Sequence, residues 1–424
     1  MAAVKDATDE PGALVEIIDE HSPTTAASPA ARSFVLPFAV ALLSLVLIYW
    51  TIDIVSPALP SIKDDLALSA SGAGLVFSLF FAGRLVGNFP AAFLVARIGA
   101  PGTAIAGGVL LAAGSALAAS APDAAVLFPA RMLQGVAVAL LVTAALLSLV
   151  RLRPSQGAAM TYFGFMATIG GIFGLATGGY LTGTTGWRGI FVLGIGLAAA
   201  LAVAGAWSHR SPATAAPLAA TATDEEVGTN DGHSRAIVVF VFANFLAYAN
   251  YAVWTALPVY ADNAFDASPG TISALLLSVT LVHLVAAFPC GRVIARWGGR
   301  RALLIGVVVS LTGTALLLAP GEAMWLALPL VPYSFGQVLA TNAAGDLVLH
   351  GAGRGGRAVG MVRLSSDLGL VVGPAVAGVL QDAAGYGAPF AALPIISAIA
   401  AVALWRATAV SYSAPVAPGV APPE

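Results

Sequence analysis

Phe89-Pro-Ala-Ala-Phe-Leu-Val-Ala-Arg-Ile-Gly99 closes a long apolar run with a short turn that carries a single cation, Arg97. The pattern returns 199 residues on, as Phe288-Pro-Cys-Gly-Arg-Val-Ile-Ala-Arg-Trp-Gly298. Gly174-Leu-Ala-Thr-Gly-Gly179 and Gly373-Pro-Ala-Val-Ala-Gly378 repeat at the same offset, and Ala58-Leu-Pro60 and Ala256-Leu-Pro258 at 198. Three anchors in one order at nearly one spacing mark two similar halves, each about 200 residues long.

Around these anchors the chain is unusually apolar. Of its 424 residues only 9% are charged and 58% are hydrophobic, whereas about 25% are charged in an ordinary soluble domain. The apolar residues come in long runs, so the solvent of the fold is lipid. Runs of helix-spanning length cover roughly 34–57, 70–96, 102–121, 124–150, 158–183, 187–208, 236–261, 269–295, 301–319, 323–349, 357–381 and 386–407. None alternates with period two, which excludes a lipid-facing barrel. The expected fold is an all-α integral membrane protein, with twelve transmembrane helices in two pseudo-symmetric six-helix bundles.

The expected domains are a disordered cytoplasmic tail (1–33), an N-terminal bundle (34–208), a cytoplasmic linker (209–235), a C-terminal bundle (236–407) and a disordered tail (408–424). The first 33 residues carry acidic side chains where a signal peptide needs cations and an apolar core. Lysine and arginine placement sets the orientation. With both termini cytoplasmic, the inside holds 15 of the 19 Lys and Arg residues and the outside holds Lys63 and Arg188, with Arg84 and Arg131 within spans.

Small residues recur every fourth position at Gly170, Gly174 and Gly178, at Gly369, Gly373 and Ala377, and at Gly83, Gly87 and Ala91. Such stripes let helix backbones approach in lipid. They read as plain helix packing and also as a conformational seam on which one half rocks against the other. Gly99, Gly170, Gly174, Gly178, Gly298, Gly373 and Pro374 are the residues assigned to that seam.

The ordered motifs resemble those of the major facilitator superfamily, over nearly all of 34–407. Pro90 to Gly99 and Pro289 to Arg301 resemble its loop between the second and third spans. Arg131-Met-Leu-Gln-Gly135 is similar to the Arg-x-x-Gln-Gly of its fourth span, and Trp187-Arg188-Gly-Ile-Phe191 to the Trp-Arg-x-x-Phe that opens its sixth. Asp53-Ile-Val-Ser-Pro-Ala-Leu-Pro60 resembles a motif of its twelve-span drug:proton antiporters. Two departures stand out. The loop aspartate is Ala96 in one copy and Ala295 in the other, and the fifth-span proline of the antiporters is Leu175. The resemblance implies a secondary transporter working by alternating access.

A charge at the bilayer centre costs at least about 2.5 kcal/mol on insertion scales, so each intramembrane ion needs an account. Asp53 reads as the carrier of a transported proton, or as half of a fixed ion pair with Arg131. His283 and Asp367 are further proton-coupling candidates, arranged as a relay. Arg84, the repeat mate of His283, reads as a contact for an acidic substrate or as a partner of Asp53. Arg131, Gln134, Asn250, Tyr251, Trp254, Gln337 and Asn342 complete the candidate substrate-binding set, since aromatics beside amides suit amphipathic organic molecules. At helix spacing the tyrosines serve equally well as packing residues.

The chain lacks a phosphate-binding loop, metal-ligand spacing and a nucleophile–base arrangement. It therefore reads as no enzyme, with no cofactor and no metal. Its expected partners are a small-molecule substrate, protons and the lipid bilayer, with no nucleic acid, and a monomer is expected. The leading expectation is a proton-coupled exporter of small organic compounds in the cell membrane. The alternatives are a proton-symport importer of the same fold and a non-transporting membrane sensor or scaffold.

Overall fold

The structure is a computed structural model and describes residues 29–152, 156–208, 231–319, 322–352 and 356–408. The expected tails before 29 and after 408, and linker residues 209–230, lie outside the described residues. The helices are α1 (Pro29–Asp53), α2 (Leu59–Asp65), α3 (Ala70–Ala119), α4 (Ala124–Leu152), α5 (Gln156–Thr185), α6 (Trp187–Ser208) and α7 (Asp231–Ala249). They continue with α8 (Ala252–Phe265), α9 (Pro269–Trp297), α10 (Gly299–Leu316), α11 (Ala327–Ala352), α12 (Gly356–Ala384) and α13 (Ala388–Thr408). α1 and α7 each begin about five residues before the apolar runs do.

Among the described residues nine helical stretches are long and apolar enough to cross a membrane, the α7–α8 stretch counting as one. The 50-residue α3 is two crossings joined at Gly99, and Pro37–Asp53 and Ala388–Ile399 are shorter apolar stretches. Twelve crossings result, as the apolar runs require. The joint between two crossings is a backbone problem that glycine solves. Gly99 has φ 71° and its repeat mate Gly298, which caps α9, has φ 78°, a region L side chains rarely enter. These two glycines of the expected rocking seam are therefore turn residues within their own halves.

The first crossing of each half is broken. α1 stops at Asp53 and α2 starts at Leu59, because Pro57 and Pro60 supply no N–H for the helical ladder. The seventh crossing breaks at Asn250 and Tyr251, ahead of Pro258 in α8. Residues beside such a break face the bundle interior with backbone groups only partly committed.

The glycine stripes close each half on itself. A side chain on Gly170 would strike the Val46 carbonyl, and one on Gly174 would meet the Trp50 carbonyl at 2.8 Å. Gly369 and Gly373 abut the Phe245 and Ala249 carbonyls of α7, each 199 residues beyond its counterpart on α1. Gly178 packs on Ile54 in the same way. This corrects the expectation that Gly170, Gly174, Gly178 and Gly373 form the boundary between halves: they bind α5 to α1 and α12 to α7.

The boundary uses the adjacent face of the same helices. Gly179 meets Pro269 and Ser273, Gly378 meets Ala70 and Ser71, and Gly74 meets the Pro374 carbonyl. Pro374 thus does lie on the boundary. These contacts, with α2 packed on α8, close the end of the molecule remote from the chain termini. Toward the termini, Phe89, Phe93, Phe165 and Phe288 are exposed.

Candidate functional site

Asp53 is the last residue of α1 and is 7% exposed. Its position follows from Pro57, which ends the helix there and leaves the carboxylate at the break rather than on a lipid-facing turn. Tyr251 and Trp254, from the matching break in the other half, turn toward its carboxyl group. They stack on each other with ring centroids 5.4 Å apart. Oδ1 of Asp53 and Nε1 of Trp254 are buried without hydrogen-bond partners among the described residues. Gly171 of α5 makes room for the acid, since a methyl group there would lie 2.7 Å from Oδ2. The buried carboxylate with its unsatisfied oxygen thus sits between the halves.

One layer toward the termini, Arg84 of α3 forms an ion pair with Asp367 of α12. Asn88 donates to the second oxygen of Asp367 at 3.0 Å, and Arg363 donates to Asn88 at 3.2 Å. This network joins the halves. Asp367 is bonded to Arg84 and Asn88, so neither the Arg84–Asp53 pair nor the His283–Asp367 relay forms here. Tyr49 and Tyr248, repeat mates on α1 and α7, stand close enough to interact electrostatically with Arg84 and with each other.

Other candidates lie elsewhere. Arg131 is fully buried inside the N-terminal half, where its guanidinium donates to the Val76 carbonyl at 3.2 Å and to Gln134 at 2.6 Å. Its cation rests 4.6 Å from the Phe80 ring centroid. Gln134 in turn donates to Ser115 at 3.0 Å. The alternative reading of a fixed Asp53–Arg131 pair is not what forms, because α4 turns Arg131 against α3. The Asn250 amide donates to Gln337 and to Ser310 within the C-terminal half, and the Gln337 amide donates to the Ala247 carbonyl at the α7 break. His283 has a buried, unpartnered Nε2. Asn342 is exposed on α11. Asp53, Tyr251, Trp254, Arg84 and Asp367 are therefore the candidates that converge.

Tyr49, Asn88 and Gly171 belong to this constellation and were not singled out by the sequence. Tyr49 was accessible in principle as the repeat mate of Tyr248. Asn88 and Gly171 follow no motif, and only the packing of α3 on α12 and α5 on α1 reveals them.

At the closed end, outside the crossings, Arg188 donates to Asp65 at 2.5 Å and Trp187 donates to the same oxygen at 3.0 Å. Arg188, then Trp187, hold the Asp65 carboxyl below the usual range. Arg188 also bonds the Ala121 carbonyl at 3.0 Å. The Trp-Arg pair thus ties the start of α6 to two other loops of its half.

Known structures share this fold. The nucleoside transporter NupG superposes over 90% of this chain and 100% of its own, with TM-score 0.73 and 14% identity. PepTSo2 superposes over 88% of this chain and 98% of its own, with TM-score 0.68 and 17% identity. At such identities the likeness shows the fold. In sequence the chain is 31% identical over 175 residues to the galactose-proton symporter of Escherichia coli strain K12, covering 40% of this chain and 36% of that protein. The symporter of Escherichia coli O6:H1 matches to the same extent. The chain thus spans about a third of the length of these relatives. The model of the Major Facilitator Superfamily matches residues 41–231 and 239–423. With nearly the whole chain matched by that family's model, this multi-pass membrane protein belongs to the Major Facilitator Superfamily.

Proposed function

We propose that the protein carries a small organic solute across the membrane together with protons, exposing one central site to each face in turn. The observation that carries this reading is Asp53: a carboxylate placed by a helix break between the two halves, with one oxygen unsatisfied among the described residues. Burial favours the protonated acid and access to water favours the anion. An acid whose surroundings alternate between these extremes loads a proton on one side and releases it on the other. The Tyr251–Trp254 stack offers an apolar platform beside it, suited to the ring or carbon skeleton of a solute.

With the termini cytoplasmic, as the excess of inside cations favours, the closed end faces outward. The central site is built within a single chain, so a monomer suffices. Proton symport into the cell is the favoured direction. Over 40% of its length the chain is similar in sequence to galactose-proton symporters, and Leu175 stands where the antiporter motif has proline. Export in exchange for protons is the second reading, supported by the Asp53-to-Pro60 motif.

Reconstituted vesicles decide between them. An imposed gradient of one pH unit sustains about tenfold accumulation per coupled proton. With galactose and a nucleoside as probes, symport predicts accumulation on the alkaline side and antiport on the acidic side. Asp53→Asn is expected to abolish uphill accumulation in either case while leaving exchange of solute at equal pH. Uphill accumulation by that variant would remove Asp53 from the coupling step.

A further inference from the structure

The halves touch along two seams, α3 with α12 and α5 with α9, and the 199-residue offset maps one seam onto the other. Gly74 against the Pro374 carbonyl corresponds to Ser273, which donates to the Leu175 carbonyl at 2.5 Å. Gly378 against Ala70 corresponds to Gly179 against Pro269. Shape is therefore conserved between the seams, and charge is not. On the α3–α12 seam Asp382 accepts from the backbone N–H of Ala70 at 2.8 Å and of Ser71 at 2.9 Å. Its mate on the other seam is Gly183, and the mate of Ala70 is Pro269, which has no N–H to offer. Deeper in the same seam Asp367 bonds Arg84 and Asn88. The corresponding residues are Thr168, His283 and Ala287, which provide no carboxylate.

We infer that the α3–α12 seam is the latch that holds the outer end closed, that Asp382 is its gating residue, and that α5–α9 is the uncharged surface on which the halves slide. A carboxylate on two first-turn amides gains charge-assisted hydrogen bonds and the favourable end of the helix dipole. Both donors and acceptor lie near the water-facing end of the molecule, so desolvation offsets less of that gain than it does at depth. These bonds bridge the halves, and parting the outer ends breaks them. They therefore weight one conformation over the other, which is what shifts a two-state equilibrium. Cargo and proton binding must supply at least that difference to open the outer end.

This inference rests on the alternating-access reading, and its test reads conformation rather than transport. The single native cysteine, Cys290, is buried and is replaced by alanine. Spin labels are placed at Asp64→Cys on α2 and Ala264→Cys on α8, both exposed at the closed end and in opposite halves. Distances are measured by electron–electron double resonance in lipid vesicles. Asp382→Ala is expected to raise the ratio of long-distance to short-distance populations on the order of tenfold, the worth of a charge-assisted bond, and Asp382→Glu to restore part of the short population. Ser273→Ala on the other seam is expected to leave the distribution near that of the parent. Ala70→Pro copies the residue at the mate position, keeps a helix start that tolerates proline, and removes one donor without touching the carboxylate. It is expected to shift the distribution the same way by less. If Asp382→Ala and Ala70→Pro both match the parent while Ser273→Ala opens the outer end, the latch is on the other seam and rocking stands. If no variant changes the distribution, both the latch and the rocking reading fall.

Discussion

Asp53 and Arg131 are both ionisable, both buried and both in helices that cross the membrane, yet their surroundings assign them opposite work. Asp53 lies against Tyr251 and Trp254 of the other half, whereas Arg131 is bonded to Val76 and Gln134 and flanked by Phe80 inside its own half, and each keeps one buried polar atom without a hydrogen-bond partner among the described residues. Arg131→Ala is therefore expected to lower stability by at least about 2 kcal/mol, through a cavity and stranded polar partners. Thermal unfolding in detergent measures this, and the folded fraction is expected to keep its KM. Asp53→Asn should show the reverse pattern, with folding kept and coupling lost. Gly171→Ala tests the space around the acid. Its methyl group would sit 2.7 Å from Oδ2, so proton-driven uptake is expected to fall at least tenfold. Gly164→Ala, on the same helix with open space around it, is expected to be neutral. Equal activities of the two alanine variants would show that Gly171 does not shape the site.

At the scale of elements, the two halves share a plan and differ in how tightly they are built. Gly83, Gly87 and Gly135 bring α3 and α4 together until backbone meets backbone. Their mates are Val282, Ala286 and Ser334, and α9 stands off from α11 around an apolar groove lined by Val282, Val285, Pro289, Val331 and Phe335. Gly135→Ala would drive a methyl group into the Phe80 carbonyl and is expected to cost about 1–3 kcal/mol as overpacking. Ser334→Ala loses only a bond to the Leu330 carbonyl one turn back and is expected to cost under about 1 kcal/mol. Comparing their unfolding temperatures checks the asymmetry, which fails if the two variants are equally stable. The helices themselves were legible in the sequence because length and hydropathy set them. The breaks after Asp53 and at Asn250 were not marked, although Pro57, Pro60 and Pro258 carry the signal. The glycine stripes were visible, but periodicity alone does not say which neighbour a stripe receives. Gly174 proved to face α1 and Gly179 to face α9.

For the whole molecule, orientation is the open consequence of charge placement. In right-side-out vesicles carrying the Cys290→Ala background, a membrane-impermeant maleimide is expected to label Asp64→Cys directly. Arg296→Cys should react only after permeabilisation. Labelling in the opposite order would invert the topology and, with it, the side on which the closed end lies. The sequence by itself determined the lipid environment, the twelve crossings and the two-fold internal repeat. Each of these follows from the one-dimensional spacing of apolar and small residues, which lipid and helix geometry translate directly. It also marked Asp53 and Asp367 as costly charges. Only the tertiary structure decided which charges meet, that Arg84 rather than His283 takes Asp367, that Arg131 is enclosed, and that carboxylates cross one seam and not the other. The reason is physical: a side chain's partner depends on how helices rotate against one another, and that rotation is fixed by the packing of residues far apart in the chain.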